Sequence, residues 1–541
     1  MKTKFDVRIA GMWLLTTAVF ILLSPKWLFA PAGWFAPALL LWFVSSVTFW
    51  RGVVLGWLAL LVSGLIAGYG VLPFPGIFFV IMVTVISAVK IIPYVISNWL
   101  VSKFGVNWLR IFIFPCALVA SEYIDSFGGG GTWGSLAYSQ FENHHLMQLT
   151  SLFGIWSVTF LLGWFASLVN WMVTHRFAWQ KIKANVILFS TVILTALLYG
   201  GVKTNNYFSQ PGELVRISGI TANNVELVKA MYEDYFDRKV DIDPDRLSQT
   251  SPELHDLQEG FIRFIENPFD KNFNTVHKKI NAYQDSLLAI ADKEAKAGAK
   301  LITFSEGLFL TTKSEENVLI EKGRKVAEQN KVYLALSVAS LLPGKIETGS
   351  KYMENKIVLL NPEGKTEMTF FKNKPVPVVE GSIPGNGEVP VVKTPFGKVA
   401  LSICYDADFP RLMRKASIEG ADMMILPSGD WREVSPYHGQ MAVVRAIENG
   451  FSLFRMVSGA TSVATDPDGR ILGSHDFYSK GERILTVYVP VRRIVTLYSL
   501  VGDVLAWISV GVIFLLCLVV LLRKIPMFSD KLSPLKKDYL Y

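Results

Sequence analysis

Three polar residues stand where apolar, strand-forming runs end. Glu306 follows Leu301-Ile302-Thr303-Phe304-Ser305, Lys372 follows Met368-Thr369-Phe370-Phe371, and Cys404 follows Val399-Ala400-Leu401-Ser402-Ile403. In open α/β sheets, strand ends are where ligands and chemistry gather. The three types form a chemical set. A thiol attacks only as thiolate, a neighbouring carboxylate takes its proton and later returns it, and a cation lowers its pKa. The lysine charge also stabilises the oxyanion formed when a thiolate adds to an ester or amide carbonyl, an effect of about 3 kcal/mol for comparable donors. Each residue alone has a plainer reading, as a packed cysteine or as a solvated charge at a strand end. Spacing alone does not overturn those readings. The chain has 3 cysteines, and Cys116 and Cys517 lie in long apolar runs, so no disulfide framework serves the soluble part and Cys404 is a free thiol there.

The elements that must position these residues read as an α/β or layered α/β sandwich fold. Strands are expected near 215–221, 300–305, 332–338, 356–360, 368–371, 398–403, 423–427, 452–458 and 484–489. Helices are expected at 276–297, 315–330, 410–419 and 436–449, the first having the clearest helical spacing of apolar residues. Asp466-Pro467-Asp468-Gly469 reads as a turn between two strands. The stretch 223–274 is polar, acid-rich and punctuated by Pro244, Pro252 and Pro268, and reads as an inserted excursion.

Around this block the chain is membrane-like. It is 51% hydrophobic and only 18% charged, against roughly 25% charged in soluble proteins. Apolar runs near 8–23, 29–49, 52–71, 75–97, 108–125, 150–173, 186–202 and 501–522 make about eight spans. The first reads as an uncleaved helix, since no small-residue cleavage site follows it. With the N-terminus inside, Lys2, Lys4, Arg8, Arg51, Lys103, Arg110, Arg176, Lys181, Lys183, Arg523, Lys524, Lys531, Lys536 and Lys537 all fall on the inner side. The expected organisation is a membrane domain 1–202 of about seven helices, an outward block 203–500, a last span 501–522 and a basic cytoplasmic tail 523–541. The net charge of +8 then sits largely at inner-leaflet boundaries, and no basic stripe with interleaved aromatics calls for nucleic acid.

The local sequences around the three residues carry a resemblance. Phe304-Ser305-Glu306, the run Lys372-Asn373-Lys374-Pro375-Val376-Pro377-Val378-Val379-Glu380, and Cys404-Tyr405-Asp406-Ala407-Asp408-Phe409-Pro410 resemble the signature segments of the nitrilase superfamily. Its catalytic set is Glu, Lys and Cys on an αββα sandwich. The likeness covers most of 213–490 and continues through Asp430-Trp431 and 438–450. The order of spans, block and last span, with Leu136-Ala137-Tyr138-Ser139-Gln140 and the run 148–156, resembles the membrane branch of that superfamily, the apolipoprotein N-acyltransferase family.

That resemblance implies a polytopic helical membrane protein of the bacterial inner membrane with an inserted nitrilase-type αββα domain on the periplasmic face. It implies ping-pong acyl transfer: Cys404 takes an acyl chain from a phospholipid, typically phosphatidylethanolamine, and the amine of a diacylglyceryl-cysteine lipoprotein receives it. Glu306 is then the proton shuttle, Lys372 the oxyanion stabiliser, and Glu380 a second carboxylate that orients Lys372 or the amine. Tyr405, Asp406 and Trp431 are supporting or substrate-binding positions, and Trp431, Trp133 and Tyr138 are candidates to line an apolar mouth. No metal and no cofactor are implied. The chain departs from the family pattern at Phe304-Ser305 (usually Trp-Pro), Asp406 (Glu), Val379 (Gly) and Lys374-Pro375 (His-Leu). The alternatives are a membrane-anchored amidase, another N-acyltransferase with a different acceptor, and a non-enzymatic scaffold.

Overall fold

The computed structural model describes residues 7–523 apart from 75, 105–107, 206–211, 243–252, 345 and 348. Lys2, Lys4, the tail beyond Arg523 and the middle of the excursion with Pro244 and Pro252 lie outside the described residues. The described chain forms two compact units, divided after Asn205 and after Leu500, with the last helix belonging to the first unit.

In the first unit the apolar runs are helices, as a backbone in hydrocarbon must satisfy its own polar groups. Among the described residues five are long and apolar enough to cross a membrane: Phe49–Gly68, Gly76–Phe104, Trp156–Thr174, Trp179–Thr204 and Val504–Leu522. Val7–Ile21 and Ala30–Ser46 are shorter apolar helices. The expected span 108–125 is divided into a 3-10 turn, Trp108–Phe112, and the helix Ile113–Asp125. The expected span 150–173 is broken as well. Gly154 at φ +68° ends the short helix Thr150–Phe153 in a left-handed conformation that glycine adopts without strain, and a new helix begins at Trp156.

One carboxylate organises this unit. Glu122 accepts from Ser135 Oγ (2.6 Å), Thr159 Oγ1 (2.8 Å) and the Leu136 backbone N–H (3.0 Å), which ties the 3-10 segment Leu136–Gln140 to the helices Ile113–Asp125 and Trp156–Thr174. Gln140 Nε2 donates to Ala30 O at 2.7 Å, and Trp34 Nε1 donates to Gln140 Oε1 at 2.7 Å. Tyr138 is wholly buried with its hydroxyl 2.7 Å from Thr132 Oγ1. It packs inside the unit.

The second unit is a sandwich of two sheets. Its strands are β1 (Glu213–Ile220), β2 (Leu301–Phe304), β3 (Phe309–Thr312), β4 (Tyr333–Leu341), β5 (Met353–Leu360), β6 (Thr366–Phe371), β7 (Val391–Thr394), β8 (Gly397–Leu401), β9 (Met423–Ile425), β10 (Ser428–Gly429), β11 (Ser452–Arg455), β12 (Val457–Ser458), β13 (Thr461–Thr465), β14 (Ile471–Asp476) and β15 (Ile484–Val491). One sheet runs β15-β1-β2-β4-β5-β6 with β3 beside β4, the other runs β14-β13-β11-β9-β8-β7, and β10 pairs with β12. Their facing sides share one apolar core, with Ile217, Leu301, Ala335 and Ile357 from the first sheet against Val399, Leu401, Ile425 and Phe454 from the second. Helices Asn274–Lys296 and Glu316–Asn330 cover the outer face of the first sheet. Pro410–Ile418 and the almost wholly buried Tyr437–Asn449 accompany the second. This is the αββα arrangement that the sequence implied. The turn at 466–469 joins β13 to β14, closed by Asp466 Oδ1 accepting from the N–H groups of Asp468 and Arg470.

The excursion is more ordered than its composition suggested. Helices Val225–Phe236 and Glu253–Glu266 pack with Asn274–Lys296 around Leu227, Met231, Phe264, Ile265, Phe273 and Ile280. Leu257, Phe261, Phe264 and Ile265 recur at helical spacing, a stripe masked by the acids around it.

Candidate active site

Two of the three strand-end residues hang on one segment. Glu306, two residues past β2, donates its N–H to Ser428 O at 3.2 Å, and Cys404 donates its N–H to Pro427 O at 2.9 Å. Lys372, just past β6, donates its N–H to Asn355 O in the neighbouring β5. Cys404 sits at φ +45°, a strained region for a residue with a Cβ, at the start of the 3-10 turn Cys404–Asp408. The turn reverses the chain so that the thiol is presented at the end of the sheet.

The charges interlock. Lys372 Nζ donates to Glu306 Oε1 at 2.7 Å and to Glu380 Oε2 at 2.6 Å. Asn355 Nδ2 bridges the same two carboxylates, donating to Glu306 Oε1 at 2.7 Å and Glu380 Oε1 at 2.9 Å. Ser382 Oγ and the Val376 N–H also donate to Glu380. Burial would lower the Lys372 pKa, but the charges of Glu306, the Cys404 sulfur and Glu380 outweigh it and hold the ammonium well above its ordinary value. Burial would raise Glu380, and the Lys372 charge brings it below the usual carboxylate range. Cys404, 3% exposed, is pushed well above the ordinary thiol by burial and by the Glu306 charge, against the pull of Lys372. The resting site therefore holds a lysine cation, a thiol and two carboxyl groups that share the lysine.

The comparisons with known proteins divide at the same place as the fold. Residues 266–496 match the family model described as carbon-nitrogen hydrolase, and 16–168 match the one described as apolipoprotein N-acyltransferase N-terminal domain. A relative named apolipoprotein N-acyltransferase, from Geobacter metallireducens, is 22% identical over 89% of this chain and 89% of its own length. In both parts the chain is similar to the apolipoprotein N-acyltransferase family. A relative of the same name from Borreliella burgdorferi is 22% identical over 69% of this chain and 67% of its own. The deaminated glutathione amidase of Mus musculus is 30% identical over 30% of this chain and 56% of its own. Among solved structures, an amidase from Nesterenkonia sp. is similar at TM-score 0.36 and 16% identity, covering 53% of this chain and 95% of that one.

The other three positions read from the sequence lie on the cysteine turn and on the loop after β10. Asp406 is fully buried, accepting from the Lys374 N–H at 2.7 Å and from the Ile403 N–H at 3.1 Å, so it ties the lysine segment to the cysteine turn. Burial raises its pKa to about 7 despite the Lys372 charge and those N–H groups. Tyr405 is half-buried with its ring edge-on to Phe409, and burial pushes its hydroxyl pKa up. Trp431, half-buried, follows Asp430 on the loop after β10.

Sequence reasoning assigned no role to Asn355, Asp408, Asp430, His438 or Arg455. Asn355 was hidden in the polar start of β5, Glu354-Asn355-Lys356, which precedes the apolar run Ile357–Leu360. Cys404, Asp430 and His438 place ligand-type atoms within 4.8 Å of one another, a spacing suited to a metal ion. Both His438 nitrogens, however, already face carboxylates, Asp430 Oδ1 at 2.7 Å and Asp408 Oδ1 at 2.9 Å. The arrangement reads as an ion-pair network rather than a metal site.

Proposed function

We propose that this chain transfers an acyl chain from a phospholipid, phosphatidylethanolamine in the first instance, to the α-amino group of a diacylglyceryl-cysteine lipoprotein. The reaction runs through a thioester on Cys404. Glu306 takes the thiol proton as the sulfur adds to the ester carbonyl, and Lys372 stabilises the oxyanion. Collapse breaks the ester C–O bond, and the proton on Glu306 passes to the departing lysophospholipid oxygen. In the second half the amine adds to the thioester, its proton goes to Glu306, the C–S bond breaks, and the sulfur regains a proton as the amide is released. Glu380 and Asn355 hold the lysine and Glu306 in register for both halves.

The observation that carries this reading is the clamp, Lys372 Nζ bonded to Glu306 and Glu380 beside a buried thiol, in a chain whose residues 16–168 match the acyltransferase membrane domain. Intact-protein mass spectrometry tests it. Incubation with phosphatidylethanolamine should add one acyl chain and release lysophospholipid, and a diacylated lipopeptide should then discharge the adduct and become triacylated. Cys404→Ala should show no adduct. Release of free fatty acid with no triacylated peptide marks a hydrolase instead.

A further inference from the structure

The two-step reaction makes no use of the buried charge cluster beneath Cys404. Asp408 comes from the cysteine turn, Asp430 from the loop after β10, His438 from the helix Tyr437–Asn449 and Arg455 from the end of β11. Their side chains are 8% exposed at most. Arg455 Nη2 donates to Asp430 Oδ2 at 2.7 Å, and the two imidazole nitrogens of His438 face Asp430 Oδ1 and Asp408 Oδ1. A carboxylate oxygen at each ring nitrogen favours the imidazolium form of His438, and Arg455 Nη2 also lies 3.3 Å from its Nδ1. Burial would lower the His438 pKa, and the two carboxylates raise it to about 9.

A balanced cluster of this kind also holds a fold together. The placement of Asp430 goes beyond that, because its Oδ1 lies 4.0 Å from Cys404 Sγ and the carbonyl of its neighbour Gly429 lies 3.5 Å from the same sulfur. This loop offers the sulfur two acceptors, so it favours S–H over S⁻. We propose that Asp430, gripped by Arg455 and His438, is a positioning residue that holds a negative charge and the Gly429 carbonyl against Cys404, keeping the nucleophile a protonated thiol until Glu306 removes the proton. The inference rests on Cys404 as the nucleophile and adds how its resting state is set. The charged groups that face the sulfur are Glu306 from beyond β2, Lys372 from beyond β6, Asp430, Arg455, and His438, a ring nitrogen of which lies within 4.8 Å of it. Tyr405 is adjacent in the chain, and Glu380 acts through Lys372.

The test is the pH dependence of Cys404 alkylation by iodoacetamide in the full-length protein in detergent, followed on the Cys404 peptide by mass spectrometry so that Cys116 and Cys517 do not contribute. The thiolate sulfur forms a C–S bond as the C–I bond breaks, iodide leaves, and the thiol proton goes to solvent. Asp430→Asn should move the midpoint down by about one pH unit or more, because an anion beside the sulfur is lost. His438→Gln should move it up, because a cation is lost while Asp430 stays paired with Arg455. A purely structural role predicts shifts in the same direction for both, or none. An unchanged or raised midpoint in Asp430→Asn, or a lowered or unchanged one in His438→Gln, overturns the proposal. Each variant decides by itself if the other does not accumulate. Absence of an acyl adduct on wild-type Cys404 would sink the proposed function, while the alkylation midpoints would still report on Asp430.

Discussion

Lys372→Met keeps the bulk at the centre of the clamp and removes its charge, so it isolates what the cation does. Lysophospholipid release should fall by about 10² to 10³-fold, the loss seen when one oxyanion donor is removed, and a rate within a factor of three of wild type would discard the oxyanion role. Asn355→Ala leaves the lysine bonded to both carboxylates but removes two hydrogen bonds to charged acceptors, each of about 1.5–3 kcal/mol. Its acyl transfer should drop roughly 10 to 100-fold, with the protein still folded by circular dichroism, and an unchanged rate would show that the bridge is idle. Asp406 supplies a pH signature. Its folded pKa of about 7 stands above the unfolded value of about 3.9, so its contribution to stability is complete below that lower value and is lost as pH rises through 7, by roughly 4 kcal/mol at most. The thermal midpoint of Asp406→Asn minus that of wild type should therefore grow more positive from pH 5 to pH 8, and a flat difference contradicts the assignment. Glu306, Lys372 and Cys404 were legible because each interrupts an apolar run at its end. Asn355 was not, because its task arises only when β5 pairs antiparallel with β6 and sets its backbone carbonyl against the Lys372 N–H.

Between the long helices and strands, the elements that place residues are short, and there sequence patterning was weakest. The cysteine turn, the 3-10 segment Leu136–Gln140 and β10 are each two to five residues long, too brief to show a period. The excursion illustrates the opposite case, a helix with a clear stripe at Leu257, Phe261, Phe264 and Ile265 obscured by flanking acids and prolines. Gly33 shows how tightly the short pieces fit. A Cβ there would run into Ser139 Oγ and stand 2.7 Å from Gln140 Nε2, so the helix Ala30–Ser46 meets the Leu136–Gln140 segment without a side chain between them. Gly33→Leu should push that segment off its Glu122 and Ala30 partners and cost about 1–3 kcal/mol, read as a lower thermal midpoint in detergent. An unchanged midpoint would mean that the two elements are not held in register by this contact.

At the scale of the whole chain, the charge pattern and the helix lengths make one joint statement about topology. Eight crossings bring the C-terminus back to the side of the N-terminus and put 206–500 on the other side; seven would not. The parity turns on the short helices Val7–Ile21, Ala30–Ser46 and above all Ile113–Asp125, whose 13 residues span only about 20 Å at 1.5 Å per residue, against roughly 30 Å of hydrocarbon. The 3-10 turn Trp108–Phe112 leads directly into it and adds about 10 Å, which closes the gap. Arg110 within that turn and Lys103 before it then mark the inner boundary, as Arg51 and Arg523 do elsewhere. The expected topology is therefore both termini inside and the sandwich outside, where a lipid donor and a lipid-anchored acceptor of the outer leaflet are within reach. A green fluorescent protein fused after Tyr541 should fluoresce and an alkaline phosphatase fused there should be inactive, while phosphatase fused within the exposed part of the β14–β15 connection (479–482) should be active. Phosphatase activity at the C-terminus would mean an odd number of crossings, with 113–125 the first segment to be removed from the count.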